Sequence, residues 1–359
     1  MRSLAVAALL GVCVLAGCRD FDPLQPASES IQWARANPDM VFVNAVVASD
    51  GTLIGITNEE PRRVFRSTDR GATWSIAFAS PTSGFDFSGD MAAGPDRLIY
   101  VTLQSARDEE SFRQVVMFRS RDAGENWEVV DETWKVSGIS GIVVSSRGYV
   151  FLATQGRGVQ GLFRSTDRGS SWSPTALTSS PTSNGGINPR SLAAGPDGLL
   201  LAMYGGGEAS KNGLFLSRDD GDSWEEIERP AAFASISFGI DVRGNLVATG
   251  TTRELDETVD IFVSHDWGES WIPAGLNSLG FFDADFASTL GENLLVVSGY
   301  DGVFRTIDEG DTWTEENSGL PNEAGDALSV NVNQIFVDPD GYLYANTTGG
   351  LYRSTVPVE

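Results

Sequence analysis

The chain has 359 residues, and its 49 acidic side chains against 25 Lys and Arg leave a formal net charge of −24. An excess of that size argues against nucleic acid or an anionic membrane surface as a partner of the protein as a whole. A single histidine is too few for His-held metals or for Ser-His-Asp catalysis, so no metal or cofactor is expected.

In chain order, Arg2 followed by the uncharged run from Leu4 to Gly17 reads as a secretory signal, too short to span a membrane as a helix. The run closes on Leu15-Ala16-Gly17-Cys18, which resembles the bacterial lipobox. That resemblance implies a signal peptide over 1–17, lipid on the Cys18 thiol, and loss of Cys13 with the signal. The mature chain then carries no free thiol, which excludes disulfides and cysteine nucleophiles. The expected location is the bacterial cell envelope, periplasmic or surface-exposed, with the membrane as a partner through the lipid. Residues 18–28, CRDFDPLQPAS, suit a short tether.

From residue 29 onward the chain repeats. One octamer occurs six times: STDRGATW from Ser67, SRDAGENW from Ser120, STDRGSSW from Ser165, SRDDGDSW from Ser217, SHDWGESW from Ser264 and TIDEGDTW from Thr306. Its tryptophans, Trp74, Trp127, Trp172, Trp224, Trp271 and Trp313, fall at intervals of 53, 45, 52, 47 and 42 residues. A period in the forties with several short strands per unit belongs to a propeller. Ahead of each octamer run a polar turn with an apolar strand, such as GPDGLLLAM from Gly195, and then a strand of the VFRS type. The VFRS-type strand has seven copies, the last ending at Ser354 with no octamer after it. Glu29-Ser30-Ile31-Gln32-Trp33 matches the ends of complete units. The predicted fold is therefore an all-β, seven-bladed propeller of four-stranded antiparallel blades over 29–359, its ring closed by the N-terminal strand pairing with the C-terminal blade.

The octamer Ser-x-Asp-x-Gly-x-x-Trp resembles the Asp box, or bacterial neuraminidase repeat. That motif is found in sialidases, sortilin-type receptors, xyloglucan-degrading endoglucanases and photosystem II assembly factor-like propellers. Its residue types explain a tight hairpin. The carboxylates of Asp69, Asp122, Asp167, Asp219, Asp266 and Asp308 accept backbone N–H groups, the glycines supply positive φ, and the tryptophans wedge between blades. Six copies spread around a ring cannot converge on one substrate, and each turn offers too few oxygens for calcium. The octamer is read as structural.

Function is expected in the loops at the funnel mouth. These loops carry Arg62, Arg107, Arg157, Arg190, Lys211 and Arg253, able to clamp a carboxylate or sulfate or to pair with neighbouring acids, and Trp134, whose ring could stack on sugar or peptide. The sialidase resemblance implies a Phe/Tyr-Arg-Ile-Pro stretch before the first octamer, and Glu60-Pro61-Arg62-Arg63 lacks that order. Tyr149, Tyr204 and Tyr300 have no evident glutamate partner for the Tyr-Glu pair that the family uses. A glycosidase needs two carboxylates across a cleft, for which Asp108, Glu109, Glu110, Glu208, Asp256, Glu257 and Asp301 are available. Two readings stand: a non-catalytic binding or assembly scaffold for a protein or a surface glycan, with no catalytic residues, or a carbohydrate-active hydrolase using funnel carboxylates.

Overall fold

Short apolar runs separated by Gly, Asn and Asp turns fold into 28 described strands, with one 3-10 turn at Pro196–Gly198. The computed structural model describes residues 30–358 except 37–39, 58–62, 80–86, 106–112, 159, 179–187, 206–212, 231–232, 253–257, 275–277, 280–284, 289–294, 300–301, 309 and 322–330. The expected signal, Cys18 and tether over 1–28 lie outside the described residues.

The chain opens with β1 (Trp33–Arg35) and the sheet β2 (Phe42–Val47), β3 (Leu53–Thr57), β4 (Arg63–Ser67) and β5 (Ser75–Ala79). A seven-stranded sheet follows: β6 (Phe87–Ala93), β7 (Ile99–Gln104), β8 (Arg113–Ser120), β9 (Glu128–Val144), β10 (Val150–Gly158), β11 (Gly161–Ser165) and β12 (Ser173–Pro174). Next come β13 (Asn188–Ala194), β14 (Leu200–Gly205), β15 (Gly213–Ser217) and β16 (Glu225–Ile227). After them lie β17 (Phe233–Ile240), β18 (Leu246–Thr252), β19 (Thr258–Ser264) and β20 (Ile272–Pro273), with β21 (Ser278–Leu279) also on β19. Then follow β22 (Asp285–Ser288), β23 (Leu295–Gly299), β24 (Gly302–Thr306) and β25 (Thr314–Glu315). The last sheet is β26 (Val332–Val337), β27 (Leu343–Thr347) and β28 (Gly350–Ser354), with β1 added at its edge.

The propeller thus has six sheets where the repeat count predicts seven blades. The difference lies in β9, a 17-residue strand. Its first half pairs with β8, from Glu128 opposite Arg119 to Val136 opposite Arg113, and its second half pairs with β10, from Val136 opposite Gly158 to Val144 opposite Val150. Two expected blades are therefore one hydrogen-bonded sheet. Passages from a fourth strand to the next sheet contain Pro38, Pro81, Pro181, Pro230 and Pro321, whereas neither 128–144 nor 274–284 contains one. Proline removes a ladder donor, and its absence from 128–144 leaves this strand free to run through.

Burial follows the layering. β3, β7 and β27 are buried along their whole length, because a neighbouring sheet covers each face, and so their sequences read as continuous apolar runs. The outer β5 keeps exposed positions at Ser75, Ile76 and Ala79. The inner strands lie against one another in succession, β2 on β6, β6 and β13 on β9, β13 on β17, β17 on β22, β22 on β26, and β26 on β2. The turns of β2–β3 and β4–β5 share one end of their sheet, and the β3–β4 connection lies at the other.

β1 joins the last sheet antiparallel, Trp33 opposite Ser354 and Arg35 opposite Tyr352. It is held from the preceding sheet by Glu316. The Glu316 carboxylate accepts the Ile31 amide at 2.6 Å and pairs with Arg305 at 2.7 Å, and the Glu316 carbonyl accepts the Trp33 indole N–H at 2.5 Å. Both side chains of that pair are buried. Removing one partner strands the other charge, so Glu316→Ala should lower stability by about 3 kcal/mol in urea unfolding. Susceptibility of the segment around Ile31 to limited proteolysis should rise with it, and unchanged proteolysis would show that the β1 edge is held by β28 alone.

Candidate functional site

The Asp-box hairpins are built alike. In the first, the Ser67 hydroxyl donates to Asp69 Oδ1 at 2.8 Å and accepts the Gly71 amide at 2.9 Å. Asp69 also accepts the Thr73 amide at 2.8 Å and the Thr73 hydroxyl at 2.5 Å. The same set recurs around Asp167 with Ser171 and around Asp266 with Ser270. Two successive residues are left-handed, Arg70 at φ 57° and Gly71 at 86°, as a type I′ turn requires. Ala123, Arg168, Asp220 and Trp267 adopt the same conformation at the position before glycine. The hydroxyl and amide of Ser171 hold the Asp167 carboxyl down to about 2, and those of Ser270 do the same for Asp266. These carboxylates are saturated by their own turns, which leaves them no part in substrate chemistry.

The third strand reaches across to the next hairpin. The arginine one position before the octamer donates to the carbonyl of that hairpin's first left-handed residue. Arg66 Nε binds Ala123 O at 2.8 Å, Arg119 binds Arg168 O, and Arg164 Nη1 binds Asp220 O at 2.8 Å. Where Leu216 and Val263 stand in place of arginine, the hairpin tryptophan crosses instead, Trp271 Nε1 to Glu228 O at 2.8 Å and Trp313 Nε1 to Ala274 O.

A second polar set lines the inner strands. Three residues before the last paired residue of each inner strand stand Asn44, Asp90, Ser191, Ser237, Asp285 and Gln334, with Gly141 in β9. Gln334 Oε1 accepts the Ala45 amide at 3.0 Å, and its Nε2 donates to Asn44 Oδ1 at 3.2 Å. Asn44 Nδ2 lies 3.5 Å from Asp90 Oδ1, which also accepts the Met91 amide at 3.0 Å, and Asp90 Oδ2 accepts the Ile142 amide at 3.1 Å. The relay ties β26, β2, β6 and β9. Asp90 retains some accessible surface, yet the protein packed around it desolvates the carboxyl and pushes it up to about 6, against the pull of those donors. No acid or base stands on β2, on the rest of β6 or on 136–144 of β9, and β7 offers only Tyr100.

Sequence reasoning missed Asp90, because SGFDFSGD carries no signal that its last aspartate sits on an inner strand. It also missed the β-bulges at the funnel end of β2, β6, β9, β13, β17 and β26, which pass over residues such as Val43 and Arg190.

Of the residues singled out by sequence, Arg62, Arg107, Lys211 and Arg253 lie outside the described residues. Arg157 belongs to β10, Arg190 to the bulge of β13, and Trp134 to the continuous β9 opposite Val115; all three stand on strands, not in loops. Their side chains are outside the description. Among the loop acids named for a glycosidase, Asp108, Glu109, Glu110, Glu208, Asp256, Glu257 and Asp301 are likewise outside it. Tyr204 is fully buried, which pushes its phenol above the usual range and removes it as a nucleophile candidate. His265 sits exposed with Nδ1 3.1 Å from Asn245 Oδ1. Among the described residues no cluster of three His, Cys, Asp or Glu is fit to hold a metal, and no helix is long and apolar enough to cross a membrane.

Comparison with known proteins agrees with this architecture. The Sortilin-Vps10 family model, described as sortilin, neurotensin receptor 3, matches residues 115–257. A xyloglucanase from Paenibacillus sp is 26% identical over 257 residues, 70% of this chain and 22% of the enzyme. The chain therefore spans about a fifth of the length of that curated relative. Among solved structures, YCF48 bound to D1 peptide superposes with a TM-score of 0.61 at 17% identity, covering 92% of this chain and 96% of that one. The GH74 xyloglucanase from Xanthomonas campestris gives a TM-score of 0.52 at 19% identity over 82% of this chain and 48% of its own. All are likenesses of an Asp-box β-propeller, and the structural ones speak for fold alone.

The carboxyls give two pH effects of opposite sign. Asp90 binds its proton more tightly folded than unfolded, so its contribution falls as pH rises from about 4 to about 6. Relative to Asp90→Asn, the wild type should lose on the order of 2 kcal/mol between pH 4 and pH 7 in chemical unfolding; parallel profiles would mean the carboxyl is not raised. Asp167 and Asp266 are depressed, so their stabilisation is complete above about pH 4 and disappears as pH falls through about 2. Asp266→Asn should flatten the acid limb of a melting-temperature profile below pH 4 while leaving the Asp90 region untouched.

Proposed function

We propose that the protein is a non-catalytic scaffold that binds a protein partner, or a surface glycan, through the funnel end of its inner strands. In this reading lipid on Cys18 and the tether over 18–28 hold the propeller at the bacterial cell envelope. The observation that carries the scaffold reading is how the described carboxylates are used. Those of the hairpins are saturated by their own turns, Glu316 is spent on Arg305 and Ile31, and Asp90 is tied to three N–H donors. Beside this, Val43 at the bulge of β2 is 43% exposed, an apolar contact in an inner strand. A propeller of the same extent, YCF48, is known bound to a peptide, and an extended peptide is the class of partner this reading favours.

A hydrolase is the second reading, favoured by one feature, the raised carboxyl of Asp90. At about 6 it is in the range a general acid needs, and Asp285 holds the same register position in β22.

The two are separated by one pair of measurements. A photo-crosslinking residue at Val43, with one at Ile272 on an outer strand as control, should give a discrete protein adduct in cells at position 43 only. Release of reducing sugar from xyloglucan or arabinan by the wild type, abolished in Asp90→Asn, would replace the scaffold reading with the hydrolase. For the anchor, labelled fatty acid should enter the wild type and not Cys18→Ala; an unlabelled wild type would remove the anchor from the proposal.

A further inference from the structure

The junction between the last sheet and the first departs from every other described junction. Elsewhere an arginine or a tryptophan crosses to the neighbouring backbone, as Arg66, Arg119, Arg164, Trp271 and Trp313 do, and at the entry to the last sheet Trp33 takes that part on Glu316 O. At the closing junction the arginine in register is Arg353 of LYRS, and the carbonyl it would reach is that of Arg70. Arg353 instead lies over the Tyr342 ring, 5.2 Å from its centroid, and its buried Nε has no hydrogen-bond partner. The tryptophan does not cross either, because Trp74 Nε1 returns to Gly71 O of its own turn at 3.0 Å. Arg70 is turned the other way, over the same Tyr342 ring at 4.4 Å and onto Asp340 at 2.5 Å.

What the missing contact leaves is a cavity of about 400 Å³, whose lining includes Asp50, Thr68, Asp69, Asp338, Asp340 and Arg353. It falls in the size range of small-molecule sites, roughly 300 to 1,000 Å³. Its polar groups are held in place. The side chain of Asp338 is 2% exposed; it accepts the amides of Asp340 and Tyr342 at 3.0 and 2.9 Å and the Tyr344 hydroxyl at 3.1 Å. Asp50 is fixed by Arg97 at 2.7 Å and Asp69 by its hairpin.

The wall chemistry selects the ligand. An anion would satisfy Arg353 but stand among four carboxylates. A cation would meet two guanidiniums and leave the Arg353 donor unfilled. A neutral molecule rich in hydroxyls donates to the carboxylates of Asp50, Asp338 and Asp340 and accepts from Arg353 with the same groups. We infer that this cavity between the closing hairpins is a binding site for a neutral polyhydroxylated ligand of monosaccharide size, either free or as the terminal residue of a glycan. The site lies at the hairpin end of the sheets, away from the funnel end of the inner strands, and does not rest on the scaffold reading.

The full-length protein, with D-glucose, D-galactose, D-xylose and a xyloglucan oligosaccharide as probes and acetate as the anionic control, tests this by saturation-transfer NMR. At least one sugar should receive saturation. Free sugars that bind mark a monosaccharide site, and binding by the oligosaccharide alone marks a glycan-end site. Arg353→Leu should weaken the interaction at least tenfold. So should Thr68→Tyr, which fills the cavity from an exposed position and should leave the melting temperature unchanged. The inference is overturned by silence from every sugar, by sugar binding that Thr68→Tyr leaves intact, or by acetate displacing the sugar.

Discussion

Except between the last sheet and the first, neighbouring repeats of this propeller are fastened at one backbone carbonyl, that of the first left-handed residue of the next Asp-box hairpin where an arginine crosses, or that of Glu228, Ala274 or Glu316 where a tryptophan crosses. The type I′ geometry matters for this reason as much as for turning the chain. Two consecutive positive φ values let Ser, Asp and the residue four beyond saturate the inside of the turn, and they leave the carbonyl of Ala123, Arg168 or Asp220 pointing where the adjacent third strand can reach it. Arginine from the preceding strand meets that carbonyl at three junctions; where Leu216 or Val263 stands instead, the following hairpin's tryptophan donates in the opposite direction to a different carbonyl, that of Glu228 or Ala274. The two devices substitute for one another because both deliver one N–H at the end of a long, half-buried side chain. The variable position before glycine then tunes the same junction, with Arg70 on Asp340 and Arg168 on Asp96, and with the polarity reversed where Arg147 meets Asp220.

At the other end of the sheets the constraint is the inner edge. An innermost strand has N–H groups with no fifth strand to take them, and the side chains of its neighbours cap them instead. Gln334 does so for Ala45 and Asp90 for Ile142, at equivalent positions. A carboxylate in that role is a compromise. It accepts more hydrogen bonds than an amide, and it resists ionising in so dense a setting. The same residue is thus both a structural cap and the described carboxyl nearest to being chemically useful, and this is why the scaffold and hydrolase readings turn on it.

The sequence disclosed what is local. An octamer whose hydrogen bonds span four residues announces itself wherever it occurs, and seven copies of a VFRS-type strand mark the repeats. The pairing of Trp33 with Ser354 could be read because β1 spells the end of a repeat that β28 lacks. The number of sheets was misjudged because tryptophan spacing counts hairpins and says nothing of what joins them. The relay from Gln334 through Asn44 to Asp90 links residues 290 and 46 positions apart, and no single repeat reveals which polar letters will face each other across sheets. The arginine of VFRS stands in plain view, but its partner is a backbone atom some fifty residues away.

The continuous β9 bears on what the funnel can offer. A fourth-to-first linker that is a loop can adjust to a ligand, whereas one that is a strand, paired with β8 up to Val136 and with β10 from Val136 to Val144, presents a fixed ladder. Trp134, opposite Val115, and Arg157, two positions from the pair of Gln155 with Gly138, are held to that ladder by their backbones. Any partner that docks on this sector meets residues whose main-chain positions are set before it arrives, which lowers the ordering cost of binding.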